Sequence, residues 1–249
     1  MNNLNRKYES NYYRWREIPA VRSAEIIIPF ILDKYNPSSV VDLGCAEGAW
    51  LSIFHKSGVG KIKGFDGPWI NQDELLIPKE FFRCAKLEGF EAPQGQRFDI
   101  AISLEVAEHL REESAENFVR QLTRLSKRIL FSAAIPGQGG LHHVNEQPPS
   151  YWKKKFENLG YAQLDILRPH FWEDKNIAWW YSQNIFLYEC QSIHQGSREQ
   201  TFHGRHIVHP RAFQEKQIEL DSGNISSRNL VKIIAKRILN ILIKKLKAK

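Results

Sequence analysis

Val40-Val41-Asp42-Leu43-Gly44-Cys45-Ala46-Glu47-Gly48 is the stretch whose reading decides the fold. An apolar run that breaks into a glycine-bearing loop builds the first turn of a doubly wound α/β sheet, where ligands bind beyond the strand ends. A second run, Ile62-Lys63-Gly64-Phe65-Asp66-Gly67, closes on an acid. An acidic residue about 20 positions after the first loop is placed to take the hydroxyls of a ribose. A third run, Phe98 to Leu104, ends at Glu105. Working outward, strand candidates fall at 39–43, 61–65, 98–103, 128–134, 163–168 and 183–190, with helical stretches at 46–57, 112–126 and 150–159. This alternation predicts a Rossmann-like, mostly parallel sheet with helices on both faces. Residues 20–35 suggest a further helix packed on the sheet, which Pro29 should start, end or kink because it lacks an amide donor. Upstream, Tyr12, Tyr13 and Trp15 read either as a lid over the ligand or as an amphipathic patch on the core.

The chemistry of the first loop selects the nucleoside. A pyrophosphate-binding loop wants glycines at 44, 46 and 49, but the chain has Gly44, Ala46 and Ala49, with acidic Glu47 between them. A carboxylate there repels phosphate. S-adenosylmethionine carries no phosphate and has an ammonium at its amino-acid end, so the loop reads as a methyl-donor site.

On these residues the chain resembles the class I S-adenosylmethionine-dependent methyltransferases, across roughly residues 20 to 190. Asp42 to Gly48 resembles the family's first motif, with Ala46 where a second glycine is common; Asp66 matches its second-strand acid. Phe98 to Leu110 is similar to the fourth strand and the helix after it. The resemblance implies a seven-stranded sheet whose last strand runs antiparallel. It also implies a donor site formed by Asp42 (pinning the loop), Gly44, Cys45, Ala46, Glu47, Gly48, Asp66, Lys86, Leu87 and Leu104. Many members carry an Asp before the fourth strand to hold the adenine amine. The nearest match here is Lys86-Leu87, so backbone groups near Leu87 are expected to take that contact.

Methyl transfer from a sulfonium is an in-line displacement in which the protein mainly positions the acceptor. A hydroxyl acceptor also needs a base, or a metal that lowers its pKa. Two regions offer such groups. In Glu105-Val106-Ala107-Glu108-His109, a helix would put Glu105 on one face with Glu108 and His109. The loop Pro136 to Gln147 carries Gly137, Gly139, Gly140, His142, His143, Asn145 and Glu146, and leads to Tyr151-Trp152. His143, His109 and Glu105 are the catalytic candidates; His142, Asn145, Glu146, Trp152 and Tyr181 are the acceptor-binding ones. Glu-x-x-Glu-His with a downstream His resembles the divalent-metal site of small-RNA 2′-O-methyltransferases, and is similar to ubiquinone-pathway O-methyltransferases. The ligands would be Glu105, Glu108, His109 and His143 or His142, a set suited to Mg²⁺, Mn²⁺ or Zn²⁺. The same Glu-x-x-x-His pattern occurs in metal-free members. There His109 would anchor a loop and His143 would be the base, and this metal-free reading is the expectation.

Between the last two strand candidates, Arg168-Pro169-His170-Phe171-Trp172 and Trp179-Trp180-Tyr181-Ser182-Gln183-Asn184 gather aromatics and amides. They suit a sugar or ring-containing acceptor in a cleft, or equally a hydrophobic plug at the sheet edge. The stretch from His142 to Trp152, with Tyr181 to Asn184, also resembles methyltransferases of bacterial surface-polysaccharide assembly, which implies a saccharide hydroxyl as acceptor.

The 249 residues suit one large α/β domain with an appendage: 1–190 as the domain, 191–228 as a polar connector and 229–249 as a basic amphipathic helix. The formal charge of +7 sits in the tail, where Arg228, Lys232, Lys236, Arg237, Lys244, Lys245, Lys247 and Lys249 meet no acid. Residues 1–227 hold 27 basic against 28 acidic side chains, which disfavours nucleic acid as partner. The tail helix, about 30 Å long, carries charges mid-length. It is therefore read as lying on an anionic membrane surface, or as docking on protein, rather than as a span. Cys45, Cys84 and Cys190 form no disulfide or metal pattern, and Asn2 to Glu17 is too polar for a secretory signal. Both suit a cytoplasmic enzyme, with the tail able to hold it at the inner face of the membrane. Three rivals stand beside a saccharide O-methyltransferase. They are an RNA 2′-O-methyltransferase, a non-catalytic scaffold of the same fold, and a nicotinamide-dependent oxidoreductase, against which the glycine spacing and Glu47 count.

Overall fold

The computed structural model describes residues 10–193 and 207–221, with side chains for 18–193 and 207–218. Seven strands form one sheet: β1 (Ser39–Leu43), β2 (Lys61–Asp66), β3 (Phe82–Cys84), β4 (Ile100–Leu104), β5 (Arg128–Ser132), β6 (Tyr161–Leu164) and β7 (Phe186–Cys190). Their order is β3-β2-β1-β4-β5-β7-β6. The first five are parallel, and β7 runs antiparallel to both β5 and β6. The strand order reverses between β1 and β4, so the carboxyl ends of that pair open the crevice where a doubly wound sheet takes its ligand.

Helices cover both faces, which is why β1 and β4 are buried at every position and read as near-continuous apolar runs. Alternation along the strands sorts the core into two halves. Val40, Ile100, Ile102 and Leu130 face one cluster, built with α1 (Ser10–Tyr35) and α2 (Ala49–Lys56). Val41, Ala101, Ile129 and Phe131 face the other, built with α3 (Ala115–Leu125) and α4 (Pro149–Glu157). In α3 the buried positions Ala115, Phe118, Val119, Leu122 and Leu125 make a helical stripe, while Arg120 and Glu116 pair on the exposed side.

Several expectations are corrected. The helix α1 continues through Pro19 and Pro29, so Pro29 neither starts nor ends it. Ile27, Ile28 and Ile31 are fully buried around Pro29, and that packing outweighs one missing amide bond. β3 has no counterpart in the expected strands, because three residues are too few for a periodic signal. β6 stops at Leu164 instead of reaching 168. There the Arg168 guanidinium grips the Asp165 carboxylate and lies 4.3 Å over the Phe186 ring, turning the chain into α5 (Arg168–Phe171). The expected start of β7 at 183 is taken by α6 (Trp179–Asn184). Within the expected connector a helix α7 (Pro210–Asp221) forms, in a second unit that begins at Val208. The side chains of Tyr12, Tyr13 and Trp15 and the whole of 229–249 lie outside the described residues. Among those described, no helix is long and apolar enough to cross a membrane.

Candidate functional site

The loop after β1 is shaped by left-handed backbone. Gly44 has φ +95°, Ala46 +47° and Gly48 +89°. An L side chain is strained in this region, which explains why a glycine would be at home at Ala46. Gly44 has a second constraint: a Cβ there would lie 2.4 Å and 2.7 Å from the Val106 methyls. Gly44→Ala should therefore cost about 3 kcal/mol through strain and overlap. For a chain of this size, thermal melting should show a midpoint roughly 6–12 °C lower.

Asp66, at the carboxyl end of β2, holds this loop. Its Oδ2 accepts the Ala46 amide at 2.8 Å and its Oδ1 the Gly67 amide at 2.6 Å, and the Trp69 side chain donates to the same carboxylate. Burial raises the Asp66 pKa to about 6, and those three hydrogen bonds oppose the rise. Burial, then the charge of Asp66, likewise raises Asp42. The Cys45 thiol is pushed up by its own burial and by these two acids, so it stays protonated. The loop amide is thus held by Asp66, the role expected of Asp42. Ala85 donates its amide to the Asp66 carbonyl, and β3 brings Ala85, exposed Lys86 and buried Leu87 beside that strand end. Glu47 and Leu104 are buried at the same sheet edge.

The donor set fits S-adenosylmethionine. From Asp42 to Trp50 there is no basic residue, while Asp42, Glu47 and Asp66 are acidic and buried. Such a site suits a ligand that carries hydroxyls and positive charge and no phosphate.

Beyond β4, Glu105 adopts φ +57° and only Ala107–His109 makes a 3-10 turn. Glu105 therefore leaves the face that a helix would have given it. Its carboxylate accepts the Gln138 amide at 2.9 Å and the Asn184 amide at 3.0 Å; Gln138 and Asn184 also bond each other, and Gln183 bonds both. This network ties the end of β4 to the loop after β5 and to the end of α6. Glu105 reads as a fastening, apart from the expected catalytic set.

On the other side of the turn, the Glu108 carbonyl accepts the amides of Val144 and Asn145 at 2.9 Å and 3.0 Å. That contact folds the loop after β5 back onto the turn and brings His143 to Glu108 and His109. The rings of His109 and His143 meet edge-on at 4.8 Å, and His143 Nε2 lies 3.9 Å from Glu108 Oε1. Ligand atoms of Glu108, His109 and His143 all fall within 4.8 Å of one another. Of the expected metal ligands, Glu105 and His142 stand outside this cluster; His142 occupies a left-handed turn position at φ +62°.

Glu146 organises the loop. Its carboxylate accepts His143 Nδ1 at 2.9 Å and the amides of Gly137 and Gly139 at 2.8 Å and 2.7 Å. Burial alone would raise its pKa, but those three bonds lower it, so Glu146 is ionised and accepts only. Nδ1 of His143 therefore donates to Glu146, and in the neutral imidazole the lone pair falls on Nε2. Nε2 is buried without a hydrogen-bond partner among the described residues, as is Asn145 Nδ2. Gly140 has no side chain to cover it: a Cβ there would lie 2.3 Å from Nε2.

The aromatic candidates are not brought to this site. Trp152, 2% exposed, packs against Phe131 and Tyr151 in one half of the core. Tyr181 meets Trp50 edge-on at 5.1 Å in the other half. The two lie on opposite faces of the sheet. Trp69 was missed, although an aromatic three residues after the second-strand acid was a signal to hand.

Residues 14–185 match a family described as a methyltransferase domain. In fold the chain is similar to Streptomyces venezuelae DesVI, with a TM-score of 0.53 at 12% identity, over 76% of this chain and 99% of that one. It is also similar to magnesium protoporphyrin IX methyltransferase (ChlM) from Synechocystis PCC 6803 with bound SAM: TM-score 0.52, 15% identity, 73% of this chain and 92% of that one. An O-methyltransferase family protein from Burkholderia thailandensis matches with a TM-score of 0.51 at 12% identity, over 73% of this chain and 57% of that one. No curated protein matches the chain in sequence.

Proposed function

Because this chain belongs to the methyltransferase-domain family, in the class I S-adenosylmethionine-dependent group, we propose that it methylates a hydroxyl oxygen of a saccharide acceptor with His143 as the base. Bound at the Asp66 end of the sheet, S-adenosylmethionine supplies an electrophilic methyl. The observation that carries the proposal is the His143 ring, oriented at Nδ1 by ionised Glu146 and presenting a buried lone pair at Nε2. The acceptor hydroxyl would give its proton to Nε2 as its oxygen bonds the methyl carbon, while the methyl–sulfur bond breaks and its electron pair stays on the sulfur of the leaving S-adenosylhomocysteine. The resulting imidazolium is stabilised by Glu146 at 2.9 Å and Glu108 at 3.9 Å. A saccharide is favoured by the amides of Asn145 and Gln147, bonded to each other at 2.9 Å in the loop that carries His143, and by the near-neutral charge of residues 1–227. The aromatic support for it is withdrawn, since Trp152 and Tyr181 are core residues.

A second reading rests on the convergence of Glu108, His109 and His143. A divalent cation there would lower the hydroxyl pKa, and Glu146 on Nδ1 would orient its histidine ligand. One experiment separates the readings. Methyl-labelled S-adenosylmethionine is incubated with nucleotide-linked sugars, oligosaccharides and RNA, with and without EDTA. Label on a sugar hydroxyl that survives EDTA is the expected result. Loss of turnover restored by Mn²⁺, Mg²⁺ or Zn²⁺ favours the metal, and label on RNA alone overturns the saccharide acceptor.

A further inference from the structure

Glu105 sits in left-handed backbone at φ +57°, and its amide is fixed to the end of β5 by the Ser132 carbonyl at 3.1 Å and the Ser132 hydroxyl at 3.0 Å. A non-glycine residue persists in that conformation when its surroundings over-determine it. Here they do: Oε2 accepts the Gln138 amide and Oε1 the Asn184 amide, at 2.9 Å and 3.0 Å. Gln138 Oε1 in turn accepts Asn184 Nδ2 at 2.9 Å and Gln183 Nε2 at 3.2 Å, and both of those side chains are buried. The Gln138 amide cannot turn over without setting oxygen against oxygen and donor against donor. Gln138 is also the residue between two clamps. The amides on either side of it, Gly137 and Gly139, are backbone donors to Glu146, the carboxylate that orients His143 at Nδ1. A continuous line of hydrogen bonds and peptide links thus runs from the end of β5, through Glu105, Gln138 and Glu146, to the imidazole.

We propose that Glu105 is the positioning residue of the base: by holding Gln138 it fixes the turn at 137–139, and through Glu146 it sets the His143 ring. This rests on the assignment of His143 as the base. Glu105 itself takes no proton from the acceptor. Its contribution is to tie a glycine-rich loop, free to adopt many conformations, to the sheet at the one side chain that fixes where the catalytic loop turns.

Exchanging the partners tests this in the full-length protein. Glu105→Gln puts an NH₂ against Gln138 or Asn184 whichever way it turns, and Gln138→Glu sets two carboxylates together. The double variant E105Q/Q138E restores each pair with donor and acceptor reversed. The first readout needs no acceptor. It is the proton resonance of His143 Nδ1–H with S-adenosylhomocysteine present, identified by its loss in His143→Ala. It should be present in wild type, lost to exchange with water in both single variants, and regained in the double one. The second is methyl transfer from labelled S-adenosylmethionine to the acceptor found in the label screen. In the single variants kcat should fall about 10- to 100-fold, the scale of a displaced catalytic group, with the KM for S-adenosylmethionine little changed; the double variant should recover. Val106, next to Glu105, packs against Gly44 of the donor loop, so a loss expressed in that KM instead overturns the proposal. So does an intact resonance in either single variant, its absence from wild type, or a double variant no better than the single ones. Full kcat in His143→Ala overturns the base assignment on its own, whatever the resonance shows.

Discussion

Alanine at position 66 should weaken S-adenosylhomocysteine binding about 100-fold or more. Two ribose hydroxyls donating to an ionised carboxylate are worth roughly 1.5–3 kcal/mol each, and 1.4 kcal/mol is a factor of ten. The substitution also releases the Ala46 amide, so the loop that shapes the donor site loses its tie to β2. Asp66 carries a pH signature too. Burial raises its pKa to about 6 in the folded chain, above the ordinary carboxylate range. Protonation therefore favours the donor-free fold: this contribution is full below the unfolded carboxylate value and is lost as pH rises through about 6. Donor binding runs the opposite way, because ribose hydroxyls donate best to the ionised oxygens. The dissociation constant for S-adenosylhomocysteine should thus rise as pH falls below about 6, while the free protein gains stability from the same group. Calorimetry and melting between about pH 5 and 8 read the two trends separately, and parallel trends would refute the role of Asp66.

Replacing His143 with alanine should lower kcat by about 10²- to 10⁴-fold, the usual weight of a positioned general base. Donor affinity should hardly change, because Asp66 and the loop from Gly44 to Gly48 sit on other strands. Glu146→Gln offers a graded comparison. A glutamine oxygen can still accept Nδ1–H, but it cannot stabilise the imidazolium by charge, so a loss of roughly tenfold is expected. Methyl transfer to the acceptor found in the label screen measures both variants. A His143→Ala enzyme with unimpaired kcat, or one that fails only by losing donor affinity, would remove the base from the mechanism.

The meeting of loop and acid at the candidate donor site was legible from spacing. A strand-ending loop at Gly44 and an acid at Asp66 must come together when β1 and β2 pair in parallel, as Leu43 beside Phe65 does. The acceptor half was legible in composition and not in arrangement. Helical periodicity would join Glu105 to His109, yet one left-handed residue at Glu105 turns its carboxylate toward Gln138 and Asn184. Nothing in a single chain marks a non-glycine residue for that conformation. Trp152 and Tyr181 failed for a related reason. On a strand, alternation assigns a side chain to a face, but Trp152 and Tyr181 lie on helices beyond the sheet and carry no such assignment. Loop composition did flag His143 and Glu146, since a segment rich in glycine and polar side chains rarely serves only as a connector. It could not reveal that the Glu108 carbonyl anchors that loop, because backbone acceptors leave no trace in residue identity.

The position of β7 bears on how the chain is made. Among the described residues β6 pairs only with β7, which inserts between it and β5. When a ribosome has delivered β6, that strand still has no partner, and β5 shows an open edge backed by Ile129, Leu130 and Phe131. About 20 more residues must be added before β7 exists, which takes roughly 1–4 s at ordinary rates of synthesis. For that interval the nascent chain presents an unpaired apolar strand to its neighbours on the polysome.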